Sequence, residues 1–347
     1  MAALLYGAAP AIASDSATQT AVPAALLLPL ASAAFGRLAD SVRQGVLAAA
    51  RLDPRAQLAI TVYATADDPN STVAAYEQAL AQGNRLVIGP LTRNGVSRVA
   101  QSMQPGTLVL ALNSPDTGAP MPENLFAFSL HVEVEGRQIA RMAFANGYRS
   151  ALTVSDSAPL ARRVHAAFAD EFVRQGGRLI AQFVYSNAAP DLLTLRETAT
   201  SGHADAIFLA LDAAQARLIH PYVNGSAQVY ATSQVFAGAV ERLRDVELNG
   251  VRFVDMPWLL QPDHPAVMVY ARPEVSQPIA GDSERLYAFG IDAYRIAADL
   301  AHESRIVHEP LDGVTGRIAM TRDRHFVREL TPAQFADGRP LPIATRR

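Results

Sequence analysis

Short apolar runs alternate with longer amphipathic stretches along almost the whole chain, beginning at Ala24. The runs Ala24–Leu30, Leu58–Tyr63, Arg85–Ile88 and Thr107–Leu112 are largely apolar and end at turn residues. That pattern predicts strands buried on both faces, as in a parallel sheet. Between them Phe35–Arg51, Ser71–Gln82 and Gly95–Gln104 carry apolar residues three to four apart and predict helices; Phe35, Leu38, Val42 and Val46 form one such stripe. The rhythm then restarts, with strands predicted at Ala151–Val154, Arg178–Tyr185, Ala206–Leu211 and Gln228–Ala231. Helices are predicted at Pro159–Gln175, Leu192–Ser201 and Ala213–Val223, and Gly176-Gly177 supplies a helix stop. Each strand–helix–strand unit needs a right-handed crossover, so two α/β sheets follow one another. A third section opens with Val251–Val254 and Asp255-Met256-Pro257-Trp258, then a long helix from about Asp282 to His302 with Leu286, Phe289, Ala293 and Ile296 on one face. Past Gly313 the chain reads as short strands and loops.

Composition narrows the class. A chain of 347 residues fits two domains at roughly 150 residues each. Hydrophobic residues at 50% and charged residues at 18% describe a globular protein and exclude a disordered one. The net charge of -3 argues against a general nucleic-acid binder, which needs a basic face. The basic residues are all Arg, in keeping with GC-rich codon usage. With no Cys, disulfides, thiolate metal sites, a Cys nucleophile and a lipid anchor on a Cys of this chain are excluded. The small, apolar start Met1–Ala13 ends in Ala11-Ile12-Ala13 before Ser14-Asp15-Ser16, which resembles a signal-peptidase site. Residues 1–23 are therefore expected to be a signal-like or disordered start, and the protein to be exported to the periplasm. No later segment reaches the roughly 18 apolar residues of a membrane helix, so no transmembrane segment is expected.

Catalytic signatures are missing: there is no G-x-S-x-G elbow, no phosphate loop and no G-x-G-x-x-G. Gly89-Pro90-Leu91-Thr92-Arg93-Asn94-Gly95 reads as a strand-to-helix turn. His131-Val132-Glu133-Val134-Glu135 reads as a helix start with acidic first-turn residues rather than a metal site. No enzyme, no metal and no cofactor are expected. What remains is polar residues at the carboxyl ends of predicted strands, where doubly wound sheets bind ligands. These are Ser32, Leu91, Thr92, Arg93, Asn113, Ser114, Ser155, Asp156, Asp212, Thr232 and Ser233, joined by Asp255, Trp258 and Tyr287 from the third section. Their recurrence on both sheets predicts a cleft and favours a binding module. For a zwitterionic solute, Arg93 with Asp156 or Asp212 is the expected charged pair. Trp258, following Pro257, is expected in extended chain near a hinge.

Several segments carry a family resemblance. They are Leu26-Leu27-Leu28-Pro29-Leu30, Val87-Ile88-Gly89-Pro90-Leu91, Leu110-Ala111-Leu112-Asn113 and Val229-Tyr230-Ala231-Thr232-Ser233. More specific are Gly250-Val251-Arg252-Phe253 leading into Asp255-Met256-Pro257-Trp258, and Arg285-Leu286-Tyr287-Ala288-Phe289-Gly290-Ile291-Asp292-Ala293-Tyr294. From about Ala24 to Pro340 the chain resembles the LppC family, the C-terminal domain of lipoprotein activators of penicillin-binding proteins. Longer members carry a helical-repeat domain and a lipidated Cys ahead of this region, to which no residues here correspond. The resemblance implies an α/β, type I periplasmic binding protein fold: two Rossmann-like lobes with parallel sheets and a hinge of about three crossing segments. Lobe one is expected over 24–129 and 257–322, and lobe two over 130–256 and 323–347. It also implies a regulator of a peptidoglycan synthase, a penicillin-binding protein, acting by docking. The alternative is a solute-binding receptor of an ABC transporter, closing on a small polar ligand such as an amino acid.

Overall fold

The computed structural model describes residues 21–55, 57–116, 121–186, 188–238, 243–273, 281–302 and 305–344. The start expected to be signal-like lies outside these residues up to position 20. Strands β1 (Val22–Leu28), β2 (Leu58–Ala64), β3 (Leu86–Ile88), β4 (Leu108–Ala111) and β5 (Leu125–Phe128) form parallel ladders in the order β5-β4-β3-β1-β2. Strand alternation sends Ala24, Leu26 and Leu28 to one face, against α1 (Gly36–Leu52) and α10 (Gly281–His302). Ala25 and Leu27 go to the other, against α2 (Pro69–Ala81) and α3 (Arg93–Ser102). Burial on both faces explains why these runs are continuously apolar.

The second sheet repeats the plan. Strands β6 (Ser150–Ser155), β7 (Arg178–Val184), β8 (Ala206–Ala210), β9 (Gln228–Ala231) and β10 (Arg252–Asp255) are parallel in the order β10-β9-β8-β6-β7. Helices α4 (Val132–Ala145) and α5 (Pro159–Arg174) cover one face, where Phe168 stacks on Phe208 at 4.1 Å. Helices α6 (Ala189–Ser201) and α7 (Ala213–Val223) cover the other. The short helices α8 (Pro257–Leu260) and α9 (Pro265–Met268) precede α10.

The expected parallel strands are present as β1–β5 and β6–β10, and the tail, which folds back on itself, makes both sheets mixed without being a separate unit. Strands β11 (Leu311–Gly313), β12 (Gly316–Met320) and β13 (His325–Glu329) are antiparallel neighbours that extend the first sheet beyond β5. Strands β14 (Thr331–Ala336) and β15 (Arg339–Pro342) extend the second sheet antiparallel to β10. The tail does not leave the first lobe at the expected Asp323. His325 and Phe326 pair with Ala127 and Phe128, and the Phe326 ring lies 6.1 Å from that of Phe126, so the chain changes sheets only at Leu330. The three crossings are thus the segments between Phe128 and Val132, between Asp255 and Pro257, and at Leu330.

The Leu286–Tyr294 segment packs the long helix onto α1. A Cβ on Gly290 would sit 2.2 Å from the Val42 carbonyl oxygen, and one on Gly45 would sit 1.9 Å from that of Tyr287. Backbone-to-backbone approach of this kind admits only glycine. Two residues on, the buried Asp292 accepts hydrogen bonds from the Val314 and Thr315 N–H groups and from Thr315 Oγ1, fixing the β11–β12 turn.

Candidate interlobe site

The tips of the first sheet gather a small polar group. Asn113 Nδ2 donates to the Leu91 carbonyl at 3.0 Å, and the Ser114 N–H donates to Asn113 Oδ1 at 2.9 Å. His131, on the first crossing, places Nε2 3.1 Å from Asn113 Oδ1 and 3.5 Å from the Arg93 guanidinium. Burial holds the His131 imidazole below its ordinary pKa, and the neighbouring Arg93 charge acts in the same direction. Thr92 Oγ1 caps α3 by accepting from Gly95 N–H, and Ser32 Oγ accepts from Phe35 N–H at the start of α1. Those two hydroxyls have structural work within their own lobe.

The second sheet presents a matching edge. Asp212 caps α7 by accepting from Gln215 N–H, and Asp156 accepts from Ala158 N–H and, at 3.0 Å, from Gln215 Nε2. Arg93 meets His131, while both carboxylates are engaged around Gln215. Ser155 Oγ, Thr232 Oγ1 and Gln215 Oε1 are buried and have no hydrogen-bond partner. Ser155 ends β6, Thr232 follows β9 and Gln215 lies in the first turn of α7, so all three stand past the carboxyl ends of the second sheet's strands.

The densest chemistry lies at the hinge. Arg285, in the first turns of α10, reaches across to lobe two. Its Nε donates to Asp255 Oδ1 at 3.1 Å and its Nη2 to Asp255 Oδ2 at 2.6 Å. The same Nη2 lies 3.0 Å from the Ser233 carbonyl oxygen and 2.8 Å from that of Phe236, and Nη1 reaches Asp282. Arg285 and Asp255 are 7% and 1% exposed, so this is a buried, forked ion pair. Burial alone would push the guanidinium pKa down; Asp255, then Asp282 and Glu135, carry it above its ordinary value. The Gly281 N–H adds a bond to the Ala237 carbonyl across the same gap.

Glu135 completes the cluster from α4. It is buried, and its Oε2 accepts from Ser233 N–H at 2.9 Å. Burial pushes its pKa up to about 7 against the attraction of Arg328, and the nearby Asp255 raises it further. Arg328, from β13, is itself buried, with its Nη1 unpartnered and its pKa lowered by burial. Gln138 clasps the third crossing by donating to the Leu330 carbonyl and accepting its N–H. All three crossings are therefore tied by side chains from the opposite lobe or from the adjoining helix.

Of the sequence candidates, the structure groups Leu91, Arg93, Asn113 and Ser114 on one edge and Asp156 and Asp212 on the other, with Ser155 and Thr232 beside the latter. Ser233 and Asp255 belong to the hinge latch. Trp258 is completely buried beneath it, 5.4 Å from the Tyr287 ring and with the Arg272 guanidinium 4.0 Å from its own ring centre. It occupies the first turn of α8 rather than extended chain, with Pro257 at the opening position that suits proline. Arg285, Glu135, Arg328, His131 and Gln215 were not among the candidates. The signal for two of them was in the stripes: Arg285 precedes Phe289 by four residues, and Glu135 precedes Ile139 by four, placing charges on apolar helix faces.

Comparison with known proteins follows the same outline. A family model described as "LppC putative lipoprotein" matches residues 11–338. A penicillin-binding protein activator LpoA from Edwardsiella piscicida is 30% identical over 91% of this chain and 49% of its own. The chain thus spans about half the length of the curated relatives it matches. Among solved structures, a Chromobacterium violaceum protein described as a "putative branched-chain amino acid ABC transporter" is 40% identical, with a TM-score of 0.78 over 90% of this chain and 100% of that one. The C-domain of LpoA (YraM) from Haemophilus influenzae, described as a regulator of PBP1A, is 22% identical, with a TM-score of 0.76 over 93% and 100% of the two chains. The fold is that of the type I periplasmic binding proteins.

Proposed function

The chain belongs to the LppC family, and from that premise we propose that it is a periplasmic, non-enzymatic docking protein that regulates a penicillin-binding protein engaged in peptidoglycan synthesis. The observation that carries this reading is the interlobe latch. Arg285 ties the Asp255 carboxylate and two lobe-two carbonyls to α10 through direct protein contacts, which supports a body that presents a fixed surface. The names of the LpoA relatives, which match nearly the whole of this chain, supply the partner class. Docking rather than catalysis is also supported by the placement of Thr153 and His165. This hydroxyl–imidazole pair, 2.8 Å apart, is buried between β6 and α5. Among the described residues no helix is long and apolar enough to cross a membrane.

The test is direct. Purified chain is titrated onto a purified bifunctional penicillin-binding protein from the same organism, following both binding and glycan polymerisation. Saturable binding with a changed polymerisation rate is the expected result. Absence of binding would overturn the proposal.

A second reading is favoured by one observation, the unsatisfied Ser155, Thr232 and Gln215 oxygens at the lobe-two edge. Buried acceptors of this kind are normally partnered by protein, water or ligand. A solute receptor for a small polar molecule would use them, in line with the description of the Chromobacterium violaceum protein. Calorimetric titration with amino acids and short peptides separates the two readings, since only the receptor binds them.

A further inference from the structure

Beside the third crossing, a groove of about 670 Å³ runs between α4 of lobe two and the β12–β13 hairpin of lobe one. Burial alternates along β13, so the Val327 and Glu329 side chains are exposed to the groove, while Arg328, which also borders it, is buried with Phe326. Arg137 and Arg141 stand one turn apart on the helix wall, and Arg317 stands on the opposite wall, cross-strand from Glu329. All three arginines are exposed. Arg137 and Arg317 have no ion pair among the described residues, and Arg141 reaches Glu171 only at 3.6 Å, a carboxylate already shared with Arg174 and Gln175. Between them the lining is mostly apolar, formed by Val134, Met142, Ala319 and Val327, with Gln138 the one uncharged polar side chain.

Three exposed guanidinium groups and the buried Arg328 against one lining carboxylate, in a chain whose net charge is -3, make a local cationic strip that the whole molecule does not share. We propose that this groove docks an acidic polypeptide segment of a partner, with alternate apolar side chains entering the strip and carboxylates meeting the arginine forks. The dimensions select a polypeptide over a free anion. From Val134 to Ala145 the helix wall is about 16 Å long, enough for about five residues of extended chain. The arginines stand on opposite walls with apolar surface between them, so they do not converge on one phosphate-sized point. Arginine pairs with carboxylate through two parallel hydrogen bonds, which suits spaced Asp and Glu side chains. Because one wall belongs to each lobe, an occupant would bridge the hinge. The choice of a synthase as the source of that segment rests on the function proposed above; the groove's chemistry does not.

The experiment has two arms. In the first, a fluorescein-labelled decapeptide alternating glutamate and leucine is titrated with the full chain and followed by anisotropy. Binding that weakens with added salt is expected, and Arg137→Glu with Arg317→Glu should weaken it about tenfold or more. The control Arg98→Glu with Arg162→Glu, two exposed arginines outside the groove, should leave it unchanged. No binding, equal binding by the groove variant, or full competition by free glutamate at matched carboxylate concentration would each overturn the proposal. Circular dichroism of both variants establishes that they fold. In the second arm the same variants are titrated onto the purified synthase. Loss of binding in the groove variant alone supports the proposal. Equal binding by that variant overturns the synthase as the groove's occupant and leaves the docking function standing. A synthase that ignores even the wild-type chain, while the peptide binds, removes the function and leaves the groove.

Discussion

Arg285 concentrates at one side chain what holds the lobes together. Its guanidinium donates to Asp255 and to the Ser233 and Phe236 carbonyls in a buried site, and removing it strands the Asp255 charge. Leaving one partner of a buried pair uncompensated costs about 3–5 kcal/mol, more than the pair itself contributes relative to an apolar replacement. Arg285→Met should therefore lose that amount in urea denaturation, and a loss below about 1 kcal/mol would mean the pair behaves like a surface salt bridge. Glu135, facing Asp255, Arg328 and the Ser233 N–H, makes a pH-dependent contribution of definite sign. Its pKa is pushed up to about 7 from 4.5, so between those values the folded state keeps a proton that the unfolded state has released. Stability from this group is thus greatest below about pH 4.5 and falls as pH rises towards 7, by up to about 1.4 kcal/mol per pH unit. Glu135→Gln cannot ionise, so its stability relative to wild type should climb across that window; parallel pH profiles would refute the assignment.

At the scale of elements, the contact of α1 with α10 depends on Gly45 and Gly290. Two effects oppose each other in Gly290→Ala. Alanine favours a helix interior by about 1 kcal/mol. The added Cβ would lie 2.2 Å from the backbone oxygen of Val42, which no side-chain rotation relieves. Overpacking of this type costs about 1–3 kcal/mol and more where backbone must move, so the expected net result is destabilisation. A raised melting temperature would show that the helices separate easily. The same elements indicate what the sequence made legible. Continuous apolar runs marked β1, β3, β4, β6, β8 and β9, because strands buried on both faces have no polar alternation to confuse with a surface. Leu125–Phe128 was too short to stand out, and the tail's β11–β15 read only as short strands and loops, because their partners lie far away in sequence. The strand-tip residues were found because topology fixes their place. The latch was legible only in part: Ser233 and Asp255 are candidates, but Arg285 and Glu135 come from other segments, and only the hinge brings all four together.

For the whole molecule, the decisive property is whether the lobes move. Three crossings permit rigid-body closure, and receptors of this fold class exploit such hinges. Here the latch, the Gly281–Ala237 bond and the Gln138 clasp on Leu330 all oppose opening. The sequence contains no cysteine, so a pair of engineered thiols reports distance without background labelling. Asn94→Cys and Arg162→Cys place spin labels at exposed positions on α3 and α5, one on each lobe. Pulsed electron–electron resonance should give a single narrow distance distribution that amino acids and short peptides leave in place. Adding Arg285→Met should broaden it or shift it to longer distances, because the Arg285 tie is gone while the covalent crossings remain. A broad distribution in the parent pair would show that the latch does not restrain the lobes. A parent distribution that narrows or shortens with one particular solute would instead identify a closing receptor, with the Ser155, Thr232 and Gln215 oxygens as the first places to look for its contacts.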